Sequence, residues 1–363
     1  MAFTAKDVVT LRERTNVGMM DCKKALTEAD GDMEKAIQIL REKGLASAAK
    51  KAGRVAAEGT IGVYSDGAAS ALVELNCETD FVGNNPEFKA LANQIAKTVV
   101  VAKPADLEAL KAATIADGSV SVADAIQELF LKIRENLSLR RFELVEGTVV
   151  SYIHAGGSVG VLVGFDTDAA DKAEFVEMGK NVAMQVAALS PEYLNSSDIS
   201  DAALAEMKNI IVESSLNKPD TLPKPIFQQV VAKVLDGGLW SAEDAAAYEE
   251  QKNNKFLFNF LSKEGIAKLA EVAVANKDEF MSNPIFMKAN EGRIKKQIKE
   301  VCLMEQAFVR NDVFDGSVGA YVADVAKKLG ANITVKSFVR LAKGEGIEKK
   351  EDDFAAEVAS MVK

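Results

Sequence analysis

The chain has few of the residues on which catalytic and metal sites depend: 3 cysteines and 1 histidine in 363 residues. Cys22, Cys77 and Cys302 are odd in number and far apart, which is typical of reduced thiols and not of a disulfide framework. The single histidine, His154, excludes a multi-histidine metal site and nearly excludes a histidine-based hydrolase triad. No glycine-rich loop ends in Gly-Lys-Ser/Thr, the usual phosphate cradle. The sequence therefore predicts no metal, no cofactor and no nucleotide site of its own.

Membrane and nucleic-acid signals are also missing. No apolar run approaches the roughly 20 residues that a membrane helix requires, and the N-terminus lacks the apolar core of a secretion signal. Aromatic residues make up 6% of the chain, and none alternate with basic residues as a base-stacking platform would require. The formal net charge of -10 argues against general nucleic-acid binding. We expect a cytoplasmic protein with no membrane partner and no direct nucleic-acid partner.

The chain contains enough apolar residues to form the cores of packed domains. Hydrophobic residues make up 48% and charged residues 27% of the 363 positions, so two or three globular domains are expected. The charge is uneven, because residues 1–54 hold 11 Lys and Arg against 8 Asp and Glu. The remaining residues hold 33 Lys and Arg against 46 Asp and Glu. The basic segment either orients the chain on an acidic partner or is simply a solvated surface.

The basic segment has the pattern of a small helical module. Residues 4–43 show three short stretches of helical periodicity, with Thr4 as a cap of the first helix and Asp32 as a cap of the third. Gly44 is predicted to end the third helix. Residues 45–58 are rich in Ala, Lys and Gly, and they form either a linker or a helix that leads out of the module. A unit of this size is more often a binding module than an enzyme.

An internal repeat follows the module. Residues 58–64 (EGTIGVY) match residues 146–152 (EGTVVSY), and each block continues through a turn into a second apolar run. Each of the two blocks, with the turn and the run that follow it, therefore predicts a β-hairpin. Residues 136–142 resemble 332–338 in the same order, and their alternating apolar residues predict a third strand in each half. The inference is an α+β fold with two related subdomains, each made of a hairpin, helices and a strand in an antiparallel sheet.

The domain division follows from these segments. Residues about 200–290 have helical periodicity interrupted by prolines, which predicts a helical insertion whose apolar residues pack internally or against a partner. Residues 349–363 predict a terminal helix. The predicted ranges are 1–54 for the three-helix module, 55–145 for the first subdomain, 146–345 for the second with its insertion, and 346–363 for a C-terminal helical module.

The segment at residues 79–82 (TDFV) is the strongest functional candidate. It follows the strand at 71–77 directly and precedes a turn and a helix around 87–100. A loop between a strand and a helix can present a side chain outward on a rigid base. On sequence pattern alone, Phe81 packing into the local core and Asp80 capping a turn is the more common arrangement.

Four separated segments, in the same order, make the chain resemble the elongation factor Ts family. They are residues 74–82 (ELNCETDFV), 11–26 with the closing run MMDCKKAL, 132–136 (KIREN) and 344–349 (GEGIEK). The chain departs from the family pattern at Asn16-Val17, where Gly-Ala is usual, and at Arg134, where glycine is usual. The resemblance covers about 1–200 and 290–363, and the long insertion falls outside it.

The resemblance implies a guanine-nucleotide exchange factor, not an enzyme, whose first three helices are UBA-like. Its partner would be elongation factor Tu, in the GDP-bound and nucleotide-free states. The implied exchange loop, which would disturb Mg²⁺ and phosphate binding in that partner, is Thr79, Asp80, Phe81 and Val82. The implied partner contacts are Lys23, Lys24, Ile133 and His154. Phe81 would act as an apolar wedge and Asp80 as its polar neighbour.

Other functions stay open at this point. The long insertion favours a scaffold or chaperone-like binder of elongation factor Tu that lacks exchange activity. Abundant carboxylates leave a hydrolase open, although no spacing singles out a pair. Lys23 and Lys24 are equally compatible with plain solvation, and Ile133 with a core position. The family includes both two-to-two and one-to-one assemblies with elongation factor Tu, so a homodimer of this chain also stays open.

Overall fold

The fold was obtained as a computed structural model that describes residues 3–15 and 17–348. Asn16 and the predicted terminal helix at 349–363 lie outside the described residues. No helix in the described ranges is both long enough and apolar enough to cross a membrane. The described helices are α1 (Ala5–Thr15), α2 (Met19–Glu28), α3 (Met33–Lys51), α4 (Asp80–Gly83), α5 (Pro86–Ala102), α6 (Leu107–Ala112), α7 (Val122–Ile133), α8 (Ala173–Leu189), α9 (Asp201–Leu216), α10 (Lys224–Asp236), α11 (Ala242–Gln251), α12 (Lys263–Ala275), α13 (Lys277–Met281), α14 (Pro284–Val301) and α15 (Val318–Leu329). The described strands are β1 (Glu58–Ser65), β2 (Ala69–Cys77), β3 (Ser138–Glu146), β4 (Thr148–His154), β5 (Val159–Thr167) and β6 (Ile333–Ala342).

The three-helix module forms as its capping residues predict. The Asp7 backbone N–H donates to Thr4 Oγ1 at 3.3 Å, and the Lys35 backbone N–H donates to Asp32 Oδ1 at 3.0 Å. These bonds satisfy donors that the first turn of a helix otherwise leaves free. The apolar faces of the three helices meet in a small core around Leu11 and Leu26, both fully buried.

Gly44 does not end the third helix, so that expectation was wrong. Helix α3 continues to Lys51 because the following residues are strong helix formers, and one glycine costs only about 1 kcal/mol in a helix. The glycine has a packing role instead. A Cβ atom at Gly44 would lie 2.2 Å from Leu131 Cδ2, so the missing side chain lets α3 approach α7 closely.

The strands form two antiparallel sheets, and the predicted hairpins and third strands are confirmed. The sheet orders are β1-β2-β3 and β4-β5-β6. In each sheet the strand that comes last in sequence pairs with the second hairpin strand. Each pairing also contains one register shift, at Glu74/Leu75 in β2 and at Gly164/Phe165 in β5. The repeat read from the sequence is thus a repeat of structure.

The two sheets pack face to face, with a helix on the outer side of each. Alternate residues of β2 point to opposite faces. Val73 and Leu75 belong to the core shared with α5, whereas Leu72 belongs to a cluster with Leu162 and Leu341 of the other sheet. Every residue of β2 is buried for this reason. On the far side α8 covers the second sheet, where the rings of Phe165 and Phe175 lie 5.1 Å apart.

A buried carboxylate crosses the interface between the sheets. Glu74 of β2 is fully buried and accepts hydrogen bonds from Arg140 Nη1 at 3.0 Å and from Arg141 Nε at 2.5 Å. It also accepts one from the Gly344 backbone N–H at 2.7 Å, just after β6. Burial raises the pKa of Glu74, but these hydrogen bonds and the positive charge of Arg141 outweigh it and hold the pKa below its ordinary value.

Gly62 of β1 is where α5 approaches the sheet most closely. A Cβ atom there would lie 2.4 Å from the backbone carbon and oxygen of Ala92, which cannot move aside as a flexible side chain could. We expect Gly62→Ala to lower the free energy of unfolding by about 1–3 kcal/mol, the usual range for an overpacked core. Urea unfolding followed by circular dichroism measures this. Gly53→Ala is the matched control, because nothing lies within 4 Å of its added Cβ. Equal unfolding midpoints for the two variants would contradict the prediction.

The helical insertion forms a compact unit of its own, Pro191–Phe308 with Gly316–Gly319, whereas the other described residues form the first unit. Its bounds are wider than the predicted 200–290. Helices α9 to α14 enclose an apolar core, so its apolar residues pack internally. The core includes Phe280 and Phe286, both fully buried. The division into four domains stays a prediction.

Candidate functional site

The segment predicted as a loop is a short helix, α4, between β2 and α5. Thr79 precedes it in extended conformation and accepts a hydrogen bond from the Val82 backbone N–H at its Oγ1, 3.4 Å away. Gly83 ends the turn against β1, where an added Cβ would lie 2.8 Å from the Gly59 carbonyl oxygen. Asn85 then caps α5 and Pro86 begins it. The turn is therefore held at both ends by the fold.

Within this turn the side chains point in different directions. Val82 is half-buried and packs against the core of the first sheet. Asp80 is exposed, and Phe81 is 85% exposed, the largest value among the exposed apolar side chains of the described residues. The arrangement in which Phe81 packs into the local core is thus wrong. A phenyl ring left in water forgoes roughly 1.5–3 kcal/mol of burial energy, which makes it a candidate anchor for a partner.

His154 is the last residue of β4, at the start of a turn next to this surface. The turn joins β4 to β5 and contacts β1, since the Ile61 backbone N–H donates to the Gly157 carbonyl at 2.8 Å. Lys89 of α5 donates to Asn84 Oδ1 at 3.2 Å, and an added Cβ at Gly156 would lie 3.6 Å from the same Lys89 Nζ. Through these contacts the structure brings α4 and the His154 turn together.

The imidazole of His154 is exposed but oriented. Its Nδ1 lies 3.0 Å from Tyr152 Oη, and the two rings are 5.9 Å apart. Because Nδ1 is engaged with the Tyr152 hydroxyl, Nε2 is the ring nitrogen that can contact a partner. The residue is thus held as a surface contact would need to be.

Ile133 and the two lysines are placed differently. Ile133 is the last residue of α7, half-buried, and it packs against the same core as Val82. Lys23 and Lys24 are exposed on α2 in the three-helix module. Met20, 63% exposed on the same helix, was not singled out from the sequence. Its position in the run MMDCKKAL, which carries the family resemblance, was the sequence signal that could have identified it.

Arg134, the position at which the resemblance implies glycine, is in the left-handed region with φ of 65°. Glycine reaches this conformation without strain, whereas other residues do so at a cost of about 1 kcal/mol. Here the guanidinium makes a compensating ion pair, Nη2 to Asp21 Oδ2 at 3.0 Å, and Lys51 donates to the Arg134 carbonyl. The arginine side chain therefore adds one contact, the ion pair with Asp21, between the residue after α7 and the three-helix module.

The described residues offer little that resembles an enzyme centre. They contain no group of three or more His, Cys, Asp and Glu residues arranged to hold a metal ion. Burial and the nearby charges of Glu135 and Glu58 raise the pKa of Cys77 to about 12, so its thiol stays protonated. A groove of about 690 Å³ lies in the helical unit, lined by Phe227, Tyr248 and other side chains. It shows no catalytic pair.

Comparison with known proteins gives a consistent family. A family model described as Elongation factor TS matches residues 78–253 and 258–345. Among curated proteins named Elongation factor Ts, that of Syntrophotalea carbinolica is 38% identical over 366 residues, 100% of either chain. That of Clostridium perfringens is 40% identical, covering 99% of each chain. That of Clostridium botulinum is 41% identical, covering 98% of this chain and 97% of its own.

These matches also correct one expectation from the sequence. The helical insertion was expected to fall outside the resemblance, but the family model matches most of it and the relatives align along almost their whole lengths. The helical unit is therefore a shared part of these proteins and not an addition peculiar to this chain.

Proposed function

The chain belongs to the elongation factor Ts family of translation elongation factors, and from that premise we propose that it promotes release of GDP from elongation factor Tu. The observation that carries the proposal is Phe81, 85% exposed on a turn capped by Thr79. A side chain on such a turn loses little freedom when it enters a partner's pocket, so little of the binding energy is lost to ordering.

The proposed mechanism is mechanical and electrostatic. Phe81 enters an apolar pocket of elongation factor Tu beside its nucleotide site, and Asp80 adds a negative charge there. Mg²⁺ requires near-ideal octahedral coordination, so a small displacement of its ligands weakens its hold on GDP. The exchange factor and GDP then oppose each other's binding through one reciprocal coupling energy. No covalent bond forms or breaks in this process.

Three further surfaces are proposed to contact the partner. Lys23 and Lys24 lie on the basic three-helix module, where they favour an acidic partner surface. His154 is exposed beside α4 with its ring oriented by Tyr152. Ile133 supports the proposal only indirectly, because it is half-buried and packs against the same core as Val82. We place this activity in the cytoplasm.

Release of a fluorescent GDP analogue from elongation factor Tu tests the proposal. Mixed with excess unlabelled GDP in a stopped-flow instrument, the complex should release the analogue faster as this protein is added, until the rate saturates. Chelation of Mg²⁺ should speed the spontaneous release and so reduce the fold-acceleration, because the ion is then already lost. Binding without acceleration would overturn exchange in favour of a scaffold. A hydrolase would instead consume substrate when elongation factor Tu is absent.

A further inference from the structure

Glu135, two residues after the end of α7, holds the base of α4. Its Oε2 accepts hydrogen bonds from the backbone N–H groups of Glu78 at 3.1 Å and Thr79 at 3.0 Å. Its Oε1 accepts a third from the Thr79 hydroxyl at 2.7 Å. All three donors lie within two residues of Asp80. An ionised carboxylate has only acceptor sites, which suits a cluster of donors of this kind.

The bond to the Thr79 hydroxyl determines how Thr79 caps α4. A hydroxyl has one hydrogen and two lone pairs. Because its hydrogen points to Glu135, a lone pair is left for the Val82 backbone N–H, 3.4 Å away. Loss of the carboxylate would free the hydroxyl to rotate and would leave two backbone donors at the start of the turn unpaired. Phe81 lies between the capping residue and the capped N–H, so its direction depends on this arrangement.

The neighbours of Glu135 extend the same connection to the end of the three-helix module. The Asn136 backbone N–H donates to Glu78 Oε1 at 2.6 Å, and Asn136 Nδ2 donates to the Arg54 carbonyl at 2.8 Å. Arg54 Nη1 pairs with Glu78 Oε2 at 3.2 Å. The peptide segment 134–136 therefore bonds both to the residues that precede Asp80 and to the chain that leaves α3.

We propose that Glu135 is a positioning residue for nucleotide exchange, which acts by fixing the direction in which Phe81 is presented. This inference rests on the proposed exchange function. Glu135 is half-buried behind the turn and is itself not a wedge. It holds Phe81 ready before elongation factor Tu is met, so that the partner's binding energy is not used to order the turn.

Stopped-flow release of the fluorescent GDP analogue, with full-length Glu135→Ala, tests the proposal. The maximal release rate should fall by about tenfold, the scale expected for a misplaced group, while the half-saturating concentration changes much less. Glu135→Gln keeps an oxygen acceptor and the side-chain volume, so it should recover part of the rate. Glu108→Ala is the matched control, since Glu108 is an exposed carboxylate paired with Lys111 in the same unit. It should leave the rate unchanged.

A double-mutant cycle with Phe81→Ala separates positioning from general weakening. If Glu135 acts through Phe81, removing Glu135 from the Phe81→Ala protein should lower the rate by less than about twofold. A full tenfold loss on that background would overturn the proposal, as would a Glu135→Ala protein as fast as the wild type. Failure of the wild-type protein itself to accelerate release would instead overturn the proposed function. If Glu135→Ala does not fold, the same cycle is made with Glu135→Gln, and a rate equal to wild type there overturns the proposal.

Discussion

Phe81→Ala should lower the acceleration of GDP release from elongation factor Tu by about 10- to 100-fold. Burial of a phenyl ring in a partner's pocket contributes roughly 1.5–3 kcal/mol, and each 1.4 kcal/mol corresponds to a tenfold change in rate. The loss should appear in the saturating release rate measured by stopped flow. The substitution should not change the unfolding midpoint, because the ring is 85% exposed and supports no core.

Phe256→Ala provides a matched control for that experiment. Phe256 is also an exposed phenylalanine, at 62%, but it lies in the helical unit. The two variants lose the same group from water-exposed positions, so they differ only in location. If both slow release equally, or if neither does, Phe81 is not the wedge.

Glu74→Ala should give the largest loss of stability, about 3 kcal/mol in the free energy of unfolding. The substitution leaves Arg140 and Arg141 without their shared carboxylate and the Gly344 N–H without its acceptor. Urea unfolding followed by circular dichroism measures the effect. Glu146→Ala is the control, because Glu146 forms an exposed pair with Lys103 and such pairs contribute about 0–1 kcal/mol. Similar losses in both variants would contradict the assigned role of Glu74.

The same variant should also change how stability depends on pH. The folded-state pKa of Glu74 is lowered from the ordinary 4.5, so the charge contributes stability above that value and loses it as the pH falls through the folded pKa. The difference in unfolding free energy between wild type and Glu74→Ala should therefore be largest near neutral pH and shrink as the pH falls below 4.5 and through the lowered folded-state pKa. A difference that stays constant over this range would mean that the ionised carboxylate is not the stabilising group.

The fold could be predicted where the signal is local. Turn residues and alternating apolar residues identified both hairpins, and the caps at Thr4 and Asp32 identified two helix starts. Gly44 misled because its lack of a side chain serves contact with Leu131, a residue 87 positions further along the chain. A glycine that ends a helix and one that allows close packing look the same in a single sequence. The internal core of the helical unit could likewise not be predicted. An apolar helix face in a sequence does not show whether it packs inside the unit or against a partner.

The candidate site, like the fold, could be predicted only where its signal is local in the sequence. The segment TDFV was found from its signature and its position after a strand, but only the structure shows that Phe81 is exposed whereas Val82 is half-buried. Glu135 was passed over as a separate contributor, although it lies within the quoted segment KIREN. Its partners are 56 and 57 residues earlier, so no local pattern could reveal them.

The way in which the second sheet closes has a consequence for synthesis of the chain on the ribosome. Strand β5 pairs on one side with β4, its neighbour in sequence, but on the other side with β6, which follows the whole helical unit. Within that unit, a residue near its start bonds to the last residue of α14: the Glu192 backbone N–H donates to the Val301 carbonyl at 2.9 Å. It can therefore fold while β5 still exposes an open edge, a period in which unpaired strands are prone to wrong association. The hydrogen bond from the Gly344 backbone N–H to Glu74 likewise joins residues 270 positions apart, so it forms only after Gly344 has been synthesised. The sheet next to Phe81 has all its strands once residue 146 has been made, whereas the charge cluster that joins it to the other sheet is completed only after Gly344 has been made.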